Sequence, residues 1–221
     1  STAARTSSGG LLPCKICEEA SWCKTRHGDF HESKNAVCHP STDLGGRRNH
    51  MMERLGADFF HRDCLEVAPD LVGKLLIRQL PDGTILQERI AETEAYRGEE
   101  DEACHAHKGR TKRTELLYRE SGLIYVYLCY GMHWLMNVIT GEPEQPQGVL
   151  FRAGVVHDGP AKLTKYLQVD QQWNGDSFLT CSNLWVADDG FRSKIQTAER
   201  VGIGYAGEVW QKKQWRFLIQ K

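Results

Sequence analysis

No stretch of the 221 residues approaches the roughly 18 consecutive apolar side chains that a membrane helix needs, and the N-terminal residues lack the basic start and apolar run of a secretory signal. No membrane association is expected, and the location is read as intracellular: nuclear in a eukaryotic cell, cytoplasmic or at the nucleoid in a bacterial one. Charge of one sign is also scarce. The 28 Lys and Arg against 29 Asp and Glu leave −1, so the protein has no uniformly basic coat. A neutral chain can still engage nucleic acid if its cations face one way. The charges are locally uneven, with Glu99, Glu100, Asp101 and Glu102 ahead of Lys108, Arg110, Lys112 and Arg113. Such a run is usually a solvated face, and its basic half has the chemistry to hold phosphates. A Walker loop is absent, and Gly202, Gly204 and Gly207 lack the preceding strand and following helix of a dinucleotide fingerprint. Nucleotide-cofactor classes therefore find no support, and no cofactor is expected.

The eight cysteines do not form a disulfide framework, since four crowd into the first 38 residues and Cys64, Cys104, Cys129 and Cys181 are scattered. Residues 1–50 are rich in Ser, Thr, Gly, Asn, His and Cys without sustained periodicity. They read as a flexible extension ahead of a single domain over 51–221. Within them Cys14-Lys15-Ile16-Cys17 is a C-x-x-C knuckle, which Cys23, His27, His31, Cys38 and His39 could complete into a tetrahedral zinc or iron–sulfur site. The spacing fits no ribbon or finger, and a tail with incidental cysteines is the plainer alternative. No metal is assigned.

What the chain does have is one aromatic, apolar run, Leu123 to Ile139, interrupted at Tyr130-Gly131-Met132. Valine, isoleucine and tyrosine favour a pleated surface and glycine accepts a positive φ, so the run predicts two strands joined at Gly131. Tyr125, Tyr127, Tyr130, His133 and Asn137 are polar exceptions inside it. Each needs a partner if buried, either within a satisfied core hairpin or on a ligand.

In chain order, Pro69 to Leu76 predicts a short helix with proline at its start. Lys74 to Leu80 and Ile85 to Glu94 predict a hairpin about Pro81-Asp82-Gly83-Thr84. Period-2 alternation then puts Ile90, Glu92, Glu94 and Tyr96 on one face. Carboxylates lining a pocket raise one another's pKa, which makes one a candidate base; on a solvent face they are ordinary polarity. The irregular stretch 97–121 reads as a long functional loop carrying His105 and His107. Val149 to Arg152 predicts a strand. Asp158-Gly159-Pro160 predicts a helix start capped by the acid, whose N-terminus suits a phosphate. Residues 183–187 and 216–219 predict strands on either side of a glycine-rich connection.

Glu92-Thr93-Glu94-Ala95-Tyr96, then Asp101-Glu102-Ala103-Cys104-His105, then Tyr125-Val126-Tyr127-Leu128-Cys129-Tyr130-Gly131-Met132 with Asn137, closely resemble the alkyladenine (3-methyladenine) DNA glycosylase family. Val149 to Arg152, Gly159 to Leu163 and Arg200 to Gly204 extend the resemblance from about Met51 to the C-terminus. It implies an α/β fold: one mixed domain with a curved antiparallel sheet, short flanking helices and a protruding hairpin that enters the DNA minor groove. The partner it implies is double-stranded DNA containing damaged purines, met by a monomer. By matched position, Tyr130 is the intercalating wedge and Glu94 the general base for the attacking water. Arg152 stands near that water, Tyr96, His105 and Tyr127 surround the flipped base, and Asn137 excludes guanine's 2-amino group. Glu92 matches no catalytic position and is assigned to structure. A catalytically impaired damaged-DNA binder is the alternative. Two departures bear on stability and the DNA surface. Only Ala153 to Asp158 stand where the family carries a longer, partly helical segment, and Gly109 to Thr114 lack the usual proline and asparagine.

Overall fold

The computed structural model describes residues 52–220. The extension, with Cys14, Cys17, Cys23 and Cys38, lies outside the described residues. Strand β1 (Glu53–Arg54) and the single turn α1 (Ala57–Phe60) lead into α2 (Cys64–Leu71). The helix starts five residues before the predicted proline. Asp63 caps it, its Oδ1 accepting the Leu65 N–H at 2.9 Å, and Cys64, Val67, Ala68 and Leu71 form a buried stripe at helical spacing. Pro69 therefore lies inside the last turn rather than at the start, and Leu75 and Leu76 belong to the next strand.

Strands β2 (Leu75–Gln79) and β3 (Ile85–Arg97) form the expected hairpin, closed by the Leu80 N–H on the Thr84 carbonyl with Gly83 at φ +87°. Then come β4 (Ile124–Cys129), β5 (His133–Ile139), β6 (Gln147–Gly154), helix α3 (Pro160–Tyr166), β7 (Leu184–Asp188), β8 (Ile195–Ala198), the turn α4 (Glu208–Gln211) and β9 (Arg216–Ile219). The nine strands of the described residues make one antiparallel sheet in the order β1-β7-β2-β3-β6-β5-β4, with β9 also on β3 and β8 on β9. The first half of β3 pairs with β2, and the second half pairs with both β6 and β9. Strands β1 and β8 were not foreseen; at two and four residues they are too short to show a period.

One face of the sheet is hydrocarbon. Ile90, Ala95, Met136, Val138, Val149 and Phe151 join Val67, Leu71 and Leu163 of the covering helices, and the Phe151 and Phe178 rings meet edge to face at 5.6 Å. Thr93 fits this face because its hydroxyl donates to the Ala68 carbonyl at 2.8 Å. The other face carries the polar aromatics. The switch between faces comes from a register irregularity where β3 crosses β6 between Ile90 and Thr93. The predicted alternation fails at that point: Ile90 is in the core, whereas Glu92, Glu94 and Tyr96 share the opposite face.

The shortened stretch after Arg152 is a closed turn. The Gly154 N–H donates to the His157 carbonyl, and buried Glu88 accepts the Val156 N–H at 3.0 Å and bonds His157 Nδ1 at 2.5 Å. His157 stacks on Tyr166 at 3.9 Å, tying the turn to α3. Asp158 does not cap α3. Its N-cap is Gly159 at φ +110°, a conformation open to glycine, with no side-chain cap bond.

Candidate active site

The polar face gathers residues from β3, β4, β5, the loop after β3 and the glycine-rich connection into a cavity. Tyr96, Ala103, Cys104, His105, Leu117, Tyr125, Tyr127, Asn137, Gly148 and Tyr205 line it. Four of the expected residues, Tyr96, His105, Tyr127 and Asn137, thus meet around one space. Glu94 and Arg152 stand beside it, reached through Tyr96, whose hydroxyl donates to Glu94 Oε2 at 2.8 Å. Tyr130 lies apart, at the hairpin tip.

Glu94 is 0 % exposed. Its Oε1 accepts the Val201 N–H at 2.8 Å, and Arg152 Nε approaches that oxygen at 3.7 Å. Burial pushes the Glu94 carboxyl above the ordinary carboxylate range, and the Val201 N–H, the Tyr96 hydroxyl and Arg152 offset only part of that rise. Glu92 shares that arginine, Arg152 Nε lying 4.0 Å from its Oε1, and takes Arg216 Nη1 at 2.9 Å, which ties β3 to β9.

His105 sits on a 3-10 turn, His105–Lys108, that the Asp101 side chain prepares by accepting the Ala103 N–H at 3.0 Å. Its Nδ1 is bonded to the Tyr125 hydroxyl at 2.9 Å and its ring meets Tyr127 edge on at 4.5 Å. Burial, helped by Arg113, lowers its pKa to about 4, so the imidazole is neutral at physiological pH. Burial likewise raises the Tyr96 and Tyr127 phenols. Asn137, 6 % exposed, donates its amide to the Tyr125 carbonyl at 3.2 Å and is a fixed wall.

The hairpin tip is the reverse of a core. Tyr130 is 85 % and Met132 70 % exposed, and the Met132 N–H closes the turn onto the Cys129 carbonyl. Gly131 has φ +70°, as expected of the joining glycine, but Tyr130 also takes φ +52°, a left-handed conformation unfavourable for a bulky side chain. The most exposed ring at the tip thus sits at a left-handed backbone position.

Three contributors went unforeseen: the Tyr125 hydroxyl that orients His105, the Val201 N–H on Glu94, and Tyr205, whose hydroxyl donates to the Ala103 carbonyl at 2.9 Å. A backbone N–H leaves no residue-type signal. Tyr125 was visible only as one of several tyrosines in the central run.

A family model described as methylpurine-DNA glycosylase matches residues 58–158 and 155–221, two blocks that overlap over 155–158 in the turn after Arg152. This chain belongs to that family. A protein of Psychrobacter cryohalolentis, provisionally named a 3-methyladenine DNA glycosylase, is 41 % identical over 186 residues, covering 71 % of this chain and 86 % of its own. Proteins of the same provisional name from Natranaerobius thermophilus and Methanocella arvoryzae are 38 % and 39 % identical, over 76 % and 75 % of this chain and 96 % and 92 % of theirs. The family's model thus covers both the Glu94 strand and the segment that delivers the Val201 N–H.

Proposed function

We propose that this protein is a monofunctional DNA glycosylase. It turns an alkylated purine out of duplex DNA and hydrolyses its N-glycosidic bond with a water activated by Glu94. The observation that carries this reading is a sealed carboxylate with a raised pKa beside a cavity walled by Tyr96, Tyr127 and neutral His105. Such a carboxylate is a stronger base than an exposed one and stabilises an oxocarbenium-like sugar at close range. The water oxygen attacks C1′, the C1′–N bond breaks with its electrons passing to the purine, and the water's proton goes to Glu94. An alkylated purine carrying a positive charge leaves as a neutral base, and that charge gains cation–π attraction from the tyrosine faces. No amine nucleophile takes part, so no lyase step follows.

Base extrusion costs a few kcal/mol, less for a damaged or mispaired base, and needs a side chain to occupy the gap. The exposed, strained Tyr130 suits that wedge, and Lys112 and Arg113 beside the hairpin suit the phosphates. The family and its relatives' names support damaged purines as substrates; the proposal extends to deaminated and etheno purines because these too present a flat ring to the Tyr96, Tyr127 and His105 walls. The test is single-turnover incubation with duplexes holding one 7-methylguanine, hypoxanthine or ethenoadenine, followed by alkali. Strand cleavage only after alkali is expected. Tight lesion binding without base release would replace this reading with that of a damaged-DNA binder.

A further inference from the structure

Arg200 and Asp101 touch neither the cavity nor the hairpin tip, yet they meet where the parts of the site are joined. Their side chains are 0 % exposed and doubly bonded, Nη1 to Oδ2 at 2.6 Å and Nη2 to Oδ1 at 2.9 Å. Arg200 Nη1 also donates to the carbonyl of Ala95, the residue between Glu94 and Tyr96, at 3.0 Å. Its guanidinium carbon lies 4.8 Å from the Tyr96 ring centroid and 5.1 Å from that of Trp215. The next residue, Val201, sends its N–H to Glu94 Oε1. Asp101 in turn accepts the Arg97 and Ala103 N–H groups at 3.1 and 3.0 Å, shaping the loop that delivers His105. A buried ion pair contributes no more stability than well-packed apolar residues of the same volume. What it adds here is direction, because the planar guanidinium fixes several acceptors at once.

Resting on the glycosylase reading above, we propose that Arg200 is a positioning residue for glycosidic hydrolysis: held by Asp101, it backs the Tyr96 ring and aims the Val201 N–H at Glu94. The decisive variant is Arg200→Lys, which keeps the charge but cannot reach both Asp101 oxygens and the Ala95 carbonyl from one ammonium centre. Single-turnover excision of hypoxanthine should fall about a hundredfold, the scale of a misplacement near 1 Å. The acid limb of its pH–rate profile should move to higher pH, because a misaimed Val201 N–H no longer favours the anionic carboxylate. Affinity for undamaged duplex, carried by phosphate contacts, should stay unchanged. A folded variant with the wild-type rate and acid limb overturns the proposal.

The wild-type protein supplies a second measurement that does not depend on the variant folding. The Val201 amide proton, followed by NMR, should titrate with the midpoint of the acid limb and exchange slowly with solvent. An amide whose shift stays flat across that limb overturns the proposal even if Arg200→Lys does not fold. Absence of excision by the wild-type protein on every lesion would instead bring down the glycosylase reading and the positioning role with it.

Discussion

Glu94 and Asp101 are both 0 % exposed, and they are treated in opposite ways. Asp101 has a guanidinium doubly bonded to it and two backbone N–H groups on its oxygens. Glu94 receives one N–H, one phenol and an arginine no nearer than 3.7 Å, and its pKa rises. Burial alone does not make a carboxylate reactive. A fully compensated one becomes a joint in the framework, whereas an under-compensated one keeps a drive to take a proton, at some cost to the folded state.

The comparison is broken most directly by Asp101→Ala, which would leave Arg200 as an uncompensated buried charge. A loss of about 3–5 kcal/mol is expected in denaturant unfolding. A loss well under 1 kcal/mol would mean that the pair is not a joint at all. Glu94→Gln should behave in the opposite sense, with excision reduced at least about a hundredfold and lesion binding nearly intact.

Stability sharpens the same contrast. Because the folded protein holds the Glu94 proton more tightly than the unfolded chain, this group's contribution is full below the ordinary carboxylate pKa and is lost as pH rises through the raised folded value. Melting of Glu94→Gln at pH 7 should therefore be no lower than wild type. Any advantage should vanish in melts near pH 4. A variant that melts well below wild type at pH 7 would show that the carboxylate is stabilising.

Residues that touch neither carboxylate should alter base handling without disturbing this balance. Tyr130→Ser should lower the flipping amplitude seen in ethenoadenine fluorescence while leaving stability within about 0.5 kcal/mol, as for other exposed positions. Unchanged flipping would remove the wedge. On the reading of Asn137 that the family resemblance implies, a bar to guanine's 2-amino group, Asn137→Ala should raise the ratio of guanine to hypoxanthine excision. If both rates fall together, the bond to the Tyr125 carbonyl is the whole of its role. The smallest effect expected is in His105→Gln, where burial already keeps the imidazole neutral at physiological pH: if Glu94 sets the acid limb, its midpoint should stay in place. A shift would assign part of the limb to the imidazole.

Much of this protein follows from local sequence. The candidate site was legible only through the family motifs, Glu92 to Tyr96 and Tyr125 to Met132. The β2–β3 turn is set by Gly83 and Asp82, and the hairpin by β-branched and aromatic residues about Gly131. These are short-range effects of backbone freedom and side-chain period, readable a few residues at a time. The start of α2 was equally local, in Asp63 and the Cys64, Val67, Ala68 and Leu71 stripe, but the proline outweighed it. The tertiary structure alone decided which face each β3 residue takes, because the irregularity against β6 reverses the parity between Ile90 and Glu92. It decided that Tyr125 orients His105, that the short turn after Arg152 is held by Glu88, and that Arg200, 99 residues along the chain from Asp101, closes the site. The reason is physical. A buried polar group takes whatever partner the packing brings within reach, and neither a period nor a propensity encodes a partner across the fold.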